Sequence, residues 1–192
     1  NTMKTLIPVL AALLIGGTAM TSLARPEIVA HRGASADAPE NTLAAVNLAW
    51  EVNSDAVEID VYLTKDGQII TNHDGDTKRT SGTKLVIKET AFDELRKLDV
   101  GKWKGEKFAG EKMPSLAEVL ATIPDGKRIF IEIKCGPEIV PELARVIGES
   151  GKRSRQLAVI SFSSGVCKAV KDVLPQLQVY WLCSPREGKV NE

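Results

Sequence analysis

Apolar and polar positions alternate along the chain in stretches that predict strands and helices in turn. Short apolar runs predict strands at residues 28–31, 56–63, 68–72, 128–134, 157–162 and 178–183. Apolar residues at helical spacing predict helices at residues 43–50, 92–98, 116–123, 141–149 and 166–173. Asn41-Thr42 can cap the first helix, and capping-box patterns at Thr90–Asp93 and Ser115–Glu118 begin the next two. This alternation predicts an α/β fold with parallel strands and crossover helices.

Two architectures suit such an alternation, a doubly wound open sheet and a barrel, and the side chains of two strands favour the barrel. In the strand 56–63, Glu58 and Asp60 share one face and the other face is apolar. In the strand 128–134, Glu132 and Lys134 share a face in the same way. An open parallel sheet buries both faces and reads as a continuous apolar run. One face that turns polar towards the carboxyl end favours a TIM-type (β/α) barrel with a site at its mouth.

Residues 1–24 have the three-part pattern of a secretory signal peptide. Lys4 supplies a positive charge, residues 6–15 form an apolar run, and Ser22-Leu23-Ala24 is a small-x-small cleavage site. The run is shorter than the roughly 20 residues that span a bilayer. We therefore expect residues 25–192 to form one exported domain, periplasmic or secreted, with no membrane span after signal removal.

Composition and charge argue against several classes of partner. The 25 basic residues balance the 25 acidic ones, so no charge excess favours nucleic acid. Lysines surround Trp103, but Glu106 and Glu111 dilute them, which predicts a solvated loop. Three cysteines are too few for a disulfide scaffold. The sequence also contains no Walker loop, G-x-S-x-G elbow or H-E-x-x-H helix.

Three acids at predicted strand ends form the first candidate group for chemistry. Glu58 and Asp60 lie two residues apart on one side of a strand, and Glu132 occupies a similar position on another. Clustered carboxylates repel one another unless a cation or protons neutralise them. Oxygen ligands select a hard ion such as Ca²⁺ or Mg²⁺. The alternative is that Arg128 or Lys134 pairs with these acids in structural ion pairs.

The two histidines of the chain form the second candidate group. His31 and His73 both end predicted strands beside small or polar residues, and histidine serves readily as an acid or base near neutral pH. Gly33 would let the backbone approach a bound anion. Arg32 and Lys134 are candidates for holding a phosphate or a carboxylate.

These positions, in their order along the chain, resemble the motifs of the glycerophosphodiester phosphodiesterase family. The motifs are His31-Arg32-Gly33, Pro39-Glu40-Asn41-Thr42, Glu58-Ile59-Asp60, His73-Asp74 and Glu132-Ile133-Lys134. The stretches 95–103 and 113–116 are also similar to the family's pattern. The resemblance thus extends from about residue 28 to residue 183.

The resemblance implies a TIM-type barrel that hydrolyses glycerophosphodiesters to sn-glycerol 3-phosphate and an alcohol, with one divalent cation, Ca²⁺ or Mg²⁺. It implies that His31 and His73 are the general acid and base, in an order that the sequence does not assign. The remaining roles that it implies are metal binding by Glu58, Asp60 and Glu132, phosphate binding by Arg32 and Lys134, and a site lining that includes Glu40 and Asn41.

The strand count adds a further expectation. An eight-fold barrel usually needs about 250 residues, and only about six strands are predicted here. We therefore expect a barrel that is incomplete at its C-terminus, with unpaired strand edges through which chains self-associate. Two other functions stay open: a non-catalytic remnant that binds metal and phosphodiester without turnover, and a related phosphodiesterase that acts on lysophospholipids.

Overall fold

The computed structural model describes residues 25–183, whose strands form a single sheet. The strands are β1 Val29–His31, β2 Ala56–Leu63, β3 Ile69–Thr71, β4 Arg128–Ile133, β5 Leu157–Ser161 and β6 Gln178–Trp181. Five of them run parallel in the order β1-β2-β4-β5-β6. The described strands do not close into a barrel. The predicted signal peptide, residues 1–24, and residues 184–192 of the predicted domain lie outside the described residues.

Helices follow most of the strands, as the alternating pattern predicts. The α-helices are α1 Leu43–Glu51, α2 Lys78–Ser81, α3 Phe92–Leu95, α4 Leu116–Thr122, α5 Val140–Glu149 and α6 Ser164–Val173. Short 3₁₀ turns occupy Ile87–Glu89, Glu106–Phe108, Pro137–Ile139 and Ser154–Gln156. Within residues 25–183, none of the helices has the length and apolar character that crossing a bilayer requires. The predicted α/β fold is confirmed.

The third strand departs from the predicted parallel arrangement, because β3 pairs antiparallel with β2 and lies off the main strand order. The connection is a tight turn in which Thr64 exchanges backbone hydrogen bonds with Gln68 and Gly67. A parallel return would need a crossover of about a dozen residues or more, and residues 64–68 are too few to provide one. The six strands therefore comprise five parallel strands and one hairpin partner.

Side-chain caps confirm two of the three predicted helix starts. The Thr42 hydroxyl accepts a hydrogen bond from the Ala45 N–H at the start of α1. At α4, Ser115 and Glu118 form the full capping box. The prediction at Thr90 is wrong, because the residue at the N-cap of α3 is Ala91, which has no side chain that can cap the helix. Thr90 instead ends the 3₁₀ turn Ile87–Glu89, and its hydroxyl donates to the Val86 carbonyl. With no side-chain cap, α3 is a single turn and ends earlier than predicted.

The sheet has one apolar face and one face that carries the acids. The apolar face packs against the helices and includes the fully buried residues Ile59, Val61 and Ile131. The opposite face carries the acidic side chains of β2 and β4. Further along that face is an open cavity of about 380 Å³. Its lining comprises Glu27, Val29, Glu58, Arg128, Phe130, Ile160, Tyr180 and Leu182.

Candidate active site

Three carboxylates meet on one face of the neighbouring strands β2 and β4. The parallel register pairs Asp60 with Glu132, and the two-residue period of a strand places Glu58 on the same face. One side-chain oxygen from each acid lies within 4.8 Å of the other two, and all three residues are buried. The structure therefore brings the three predicted acids into one cluster.

The acidic cluster carries more negative charge than its neighbours balance. Burial, together with repulsion from Asp60 and Glu132, raises the pKa of Glu58 to about 8. Within the described residues, Glu58 Oε1 and Asp60 Oδ1 are buried and have no hydrogen-bond partner. Such oxygens are unfavourable unless a ligand satisfies them. Unsatisfied carboxylate oxygens in a charged cluster fit a hard divalent cation.

Of the two basic residues expected to pair with the acids, only Lys134 reaches them. Its Nζ lies 2.9 Å from Glu132 Oε1 and 3.6 Å from Asp60 Oδ1. Arg128 instead contacts Glu27 and Gln178. The expected pairing of Arg128 with the three acids is therefore wrong. One lysine cannot neutralise three carboxylates. The ion pairs that exist leave the cluster able to attract a cation.

Arg32 is bound on several sides by acidic residues of the site. Its backbone N–H donates to Glu58 Oε2 over 2.9 Å, and its side-chain Nη1 donates to Glu40 Oε1 over 2.9 Å. Its Nε lies 3.3 Å from Asp60 Oδ2. These contacts fix the guanidinium beside the acidic cluster, where it can also meet an anionic ligand.

Glu40 accepts hydrogen bonds from two arginines, Arg32 and Arg79. Burial alone would raise the pKa of Glu40, but the hydrogen bonds from Arg79 and Arg32 outweigh burial and lower it. Arg79 lies on α2 and donates through both terminal nitrogens to the Glu40 carboxylate. Sequence reasoning missed Arg79, since no spacing rule connects a residue of α2 to one before α1.

Asn41 holds Asp60 in place and does more than line the site. Its Nδ2 donates to Asp60 Oδ2 over 2.9 Å, and its Oδ1 accepts from the Asp60 backbone N–H over 3.0 Å. The hydroxyl of Thr71 donates to the Asn41 carbonyl over 2.7 Å. Asn41 adopts φ +58°, a left-handed conformation that asparagine tolerates better than most residues. The buried amide thereby fixes the orientation of one acid of the cluster.

The two histidines occupy different environments near the cluster. His31, the last residue of β1, has a side chain that is 68% exposed, with Nε2 3.9 Å from Glu58 Oε2. His73 follows β3, and its Nδ1 lies 2.8 Å from Asp74 Oδ1. An ionised carboxylate only accepts hydrogen bonds, so the Asp74 contact places the His73 proton on Nδ1. His73 Nε2 is then the ring nitrogen available for proton transfer.

Gly33 brings the backbone close to α1. It adopts φ +78°, and a Cβ at this position would lie 2.6 Å from the Ala45 carbonyl carbon. The sequence predicted that this glycine lets the backbone approach an anion, but the close neighbour in the structure is the backbone of α1. The same glycine donates its N–H to the carbonyl oxygens of Ala30 and Glu58. Gly33 thus joins β1, β2 and α1 beneath the site.

Open space for a small ligand lies beside Lys134. A cavity of about 530 Å³ is lined by residues from the end of β2, the segment around α2 and the end of β4, including Tyr62, Lys88 and Cys135. A second cavity, of about 330 Å³, includes Glu132, Lys134 and Ser161. Volumes of this size suit small-molecule ligands.

Carboxylates, imidazoles and cationic side chains thus gather at the carboxyl ends of parallel strands, the placement typical of enzymes with barrel folds. Residues 31–191 match the glycerophosphoryl diester phosphodiesterase family. This chain belongs to that family.

Individual relatives agree with the family match. The chain is 40% identical over 157 residues to a glycerophosphodiester phosphodiesterase of Caldanaerobacter subterraneus subsp. tengcongensis, covering 79% of this chain and 64% of the relative. It is 31% identical over 176 residues to a glycerophosphodiester phosphodiesterase of Bacillus subtilis, covering 83% and 60%. The chain therefore spans less than two thirds of the length of either relative.

A solved structure shows the same fold. An Oleispira antarctica phosphodiesterase, whose structure holds the product sn-glycerol-3-phosphate, aligns with a TM-score of 0.79 and 31% identity. The alignment covers 85% of this chain and 69% of that chain. The predicted fold class, an α/β fold of the TIM-barrel type, is confirmed by this similarity.

Proposed function

We propose that this chain is a metal-dependent glycerophosphodiester phosphodiesterase, which releases sn-glycerol 3-phosphate and an alcohol. The observation that carries the proposal is the buried cluster of Glu58, Asp60 and Glu132, flanked by Arg32 and Lys134. Membership of the family and the product bound in the Oleispira antarctica relative support the choice of substrate class.

Charge complementarity explains how the site would hold a phosphodiester. The substrate carries one negative charge, and attack on phosphorus places more charge on its oxygens. Arg32 and Lys134 lie beside the cluster and supply fixed positive charge for those oxygens. The three acids would hold one Ca²⁺ or Mg²⁺ ion, which supplies Lewis-acid stabilisation of the phosphoryl group when bound.

The two histidines would perform the proton transfers. His73 is oriented through Asp74 and presents Nε2, whereas His31 stands exposed at the end of β1 near Glu58. One imidazole takes a proton from the attacking oxygen, and the other returns a proton to the departing alcohol. The positions of His31 and His73 are compatible with either residue as the acid and the other as the base.

Release of sn-glycerol 3-phosphate from glycerophosphocholine tests the proposal. We expect the 192-residue chain to release product, to stop releasing it in EDTA, and to regain activity when Ca²⁺ or Mg²⁺ is added back. The exposed-surface variant Glu149→Gln serves as a control that should behave like the wild type. Absence of product with every ion would favour the non-catalytic alternative. Preference for lysophosphatidylcholine would favour the lysophospholipid alternative.

Export is a second part of the proposal and rests on residues 1–24 alone. The charged start, apolar run and small-x-small site support removal of this segment during secretion. Mass spectrometry of the protein from a periplasmic or secreted fraction should find a chain that begins at Arg25. An intact chain that stays in the cytoplasm would contradict export.

A further inference from the structure

Arg79 connects two parts of the candidate site that lie on different segments of the chain. Its Nη1 and Nη2 donate to the two oxygens of Glu40, each over 2.8 Å. Its Nε donates to Asp74 Oδ2 over 2.7 Å. A planar guanidinium can hold two carboxylates in a fixed relation in this way, which a lysine cannot do.

Each of those carboxylates in turn holds a residue with a proposed chemical role. Glu40 Oε1 accepts from Arg32, and Asp74 Oδ1 faces His73 Nδ1. The result is a continuous series in which acidic and basic side chains alternate and each member contacts the next. In order, its members are Asp60, Arg32, Glu40, Arg79, Asp74 and His73.

We propose that Arg79 is a positioning residue, which fixes the His73 tautomer through Asp74 and the Arg32 side chain through Glu40. The proposal deepens the proposed function and rests on it for the effect on turnover. The effect on His73 follows from the contacts alone.

The physical reason lies in the two oxygens of Asp74. With Oδ2 bound to Arg79, Oδ1 is fixed towards His73, and the Asp74 carboxylate cannot rotate away without losing a charge-assisted hydrogen bond. Burial would raise the pKa of Asp74, but the hydrogen bonds from Arg79 and His73 keep it below its ordinary value. Asp74 therefore remains an ionised acceptor that holds the His73 proton on Nδ1.

The same reasoning applies to Glu40 and Arg32. Glu40 is largely buried, with a side chain that is 12% exposed, and it carries a charge that two arginines share. Without Arg79, the Glu40 carboxylate would depend on Arg32 alone. Arg32 would then be drawn more strongly to Glu40 and would be less available to a bound phosphate.

The first test, by NMR, is direct because the chain has only two histidines. Nitrogen-15 NMR of the imidazole groups gives signals from only two residues, His31 and His73, and a His31→Gln variant assigns them. At a pH of about 8, where an ordinary imidazole is neutral, wild-type His73 should carry its proton on Nδ1. In Arg79→Gln, the signals should shift towards the Nε2-protonated form that free imidazole prefers.

Kinetics and matched variants complete the test. Arg79→Gln should lower kcat by about 10- to 100-fold. Arg79→Lys keeps the positive charge but lacks the planar guanidinium that binds both carboxylates, so it should recover only part of the loss. Arg145→Gln is the matched control, because Arg145 also donates to two carboxylates, Glu142 and Glu149, but on the outer helix α5. It should change neither the His73 spectrum nor kcat. If Arg79→Gln does not fold, Arg79→Lys provides the spectrum.

The outcomes separate this proposal from the proposed function. An unchanged His73 spectrum in the Arg79 variants overturns the positioning role whatever the activity. Full turnover in Arg79→Gln beside a changed spectrum also overturns it. If the His73 spectrum changes in the Arg79 variants but the wild-type chain hydrolyses no phosphodiester, the role of Arg79 is supported and the proposed function alone is overturned.

Discussion

Glu58 shows how strongly the site depends on the neighbours of a single residue. Its Oε2 accepts from the Arg32 backbone, whereas Oε1 is buried and has no partner among the described residues. The folded chain therefore disfavours the ionised form, and the pKa of Glu58 rises from 4.5 to about 8. If Glu58 binds a cation as proposed, this raised pKa couples protonation, cation binding and stability at one side chain.

The coupling predicts that, in EDTA, the wild-type free energy of unfolding falls as the pH rises from about 4.5 to about 8. In that range the unfolded chain releases the Glu58 proton while the folded chain retains it, so ionisation costs the folded state stability. Glu58→Gln removes this charge and should be more stable than the wild type by about 1–3 kcal/mol above pH 8. Denaturant titration at pH 5 and pH 8.5 measures the difference.

The same experiment with Ca²⁺ or Mg²⁺ provides the control. The cation should stabilise the wild type and have a weaker effect on Glu58→Gln, since the variant has lost one carboxylate ligand. Equal stabilisation of both proteins, or of neither, would contradict a role of Glu58 in cation binding.

Loss of either histidine should affect turnover and leave folding intact. We expect His31→Ala and His73→Ala each to lower kcat by at least about 100-fold, as removal of a general acid or base does. Both side chains are partly exposed, so their truncation removes little packing. Thermal transitions followed by circular dichroism should match the wild type. Near-full activity in either variant would exclude the two-histidine mechanism.

At the scale of elements, the sequence predicted what depends on local pattern. The period of two in β2 and β4 correctly separated the acidic face from the apolar face. The Ser115 capping box was also correct, because Glu118 is close enough to complete it. Thr90 has the same local pattern, but it ends the 3₁₀ turn Ile87–Glu89, and α3 begins one residue later with Ala91 as its N-cap. A shift of one residue in the start of a helix cannot be seen in the spacing of residues.

The contacts between distant segments could not be predicted from the sequence. The charges of Arg32 and Glu40 are visible in the motifs, but the link through Arg79 depends on the path of the chain from β3 to α2. Similarly, Asn41 was expected only to line the site, whereas its position against Asp60 depends on the packing of the loop before α1 on β2. Which residues of distant segments come into contact depends on the tertiary structure.

Two glycines with nearly equal φ angles allow a test of element packing. Gly33 and Gly67 adopt φ +78° and +79°, but a Cβ at Gly33 would meet the backbone of Ala45, whereas nothing lies within 4 Å at Gly67. We expect Gly67→Ala to cost about 1–2 kcal/mol through backbone strain alone. Gly33→Ala should cost about 2–5 kcal/mol, because the clash with α1 adds to the strain.

Denaturant titration of both variants gives these values, and glycerol 3-phosphate release shows the consequence for the site. Activity should fall in Gly33→Ala, since Gly33 adjoins Arg32 and β2, and should be unchanged in Gly67→Ala. Equal stability losses in the two variants would show that the contact with Ala45 relaxes without cost.

At the scale of the whole molecule, the two faces of the sheet differ in how they are covered. Helices bury the apolar face, whereas Val29 and Tyr180 on the acid-bearing face are each more than a third exposed. Val29 and Tyr180 line the open cavity on the acid-bearing face. Self-association through the strand edges stays a prediction, and these exposed side chains are the surface that would be covered.

Size-exclusion chromatography with light scattering tests self-association. We expect the chain to elute above the mass of a monomer at micromolar concentration. Tyr180→Lys should shift the protein towards the monomer, because a charge at the contact is costly to bury. Val52→Lys, at an exposed apolar residue beyond α1, is the matched control. A wild-type monomer at every concentration would contradict the prediction.

The pairing of β2 with two very different partners has a consequence for the order of folding. β2 meets β3 through one tight turn, so this hairpin closes at little entropic cost, whereas β4 follows only after α2, α3 and α4. During synthesis on the ribosome, Glu58 and Asp60 are therefore present long before Glu132. The proposed divalent cation would meet all three acids only when β2 and β4 have paired, and its binding would stabilise the chains that have completed that step.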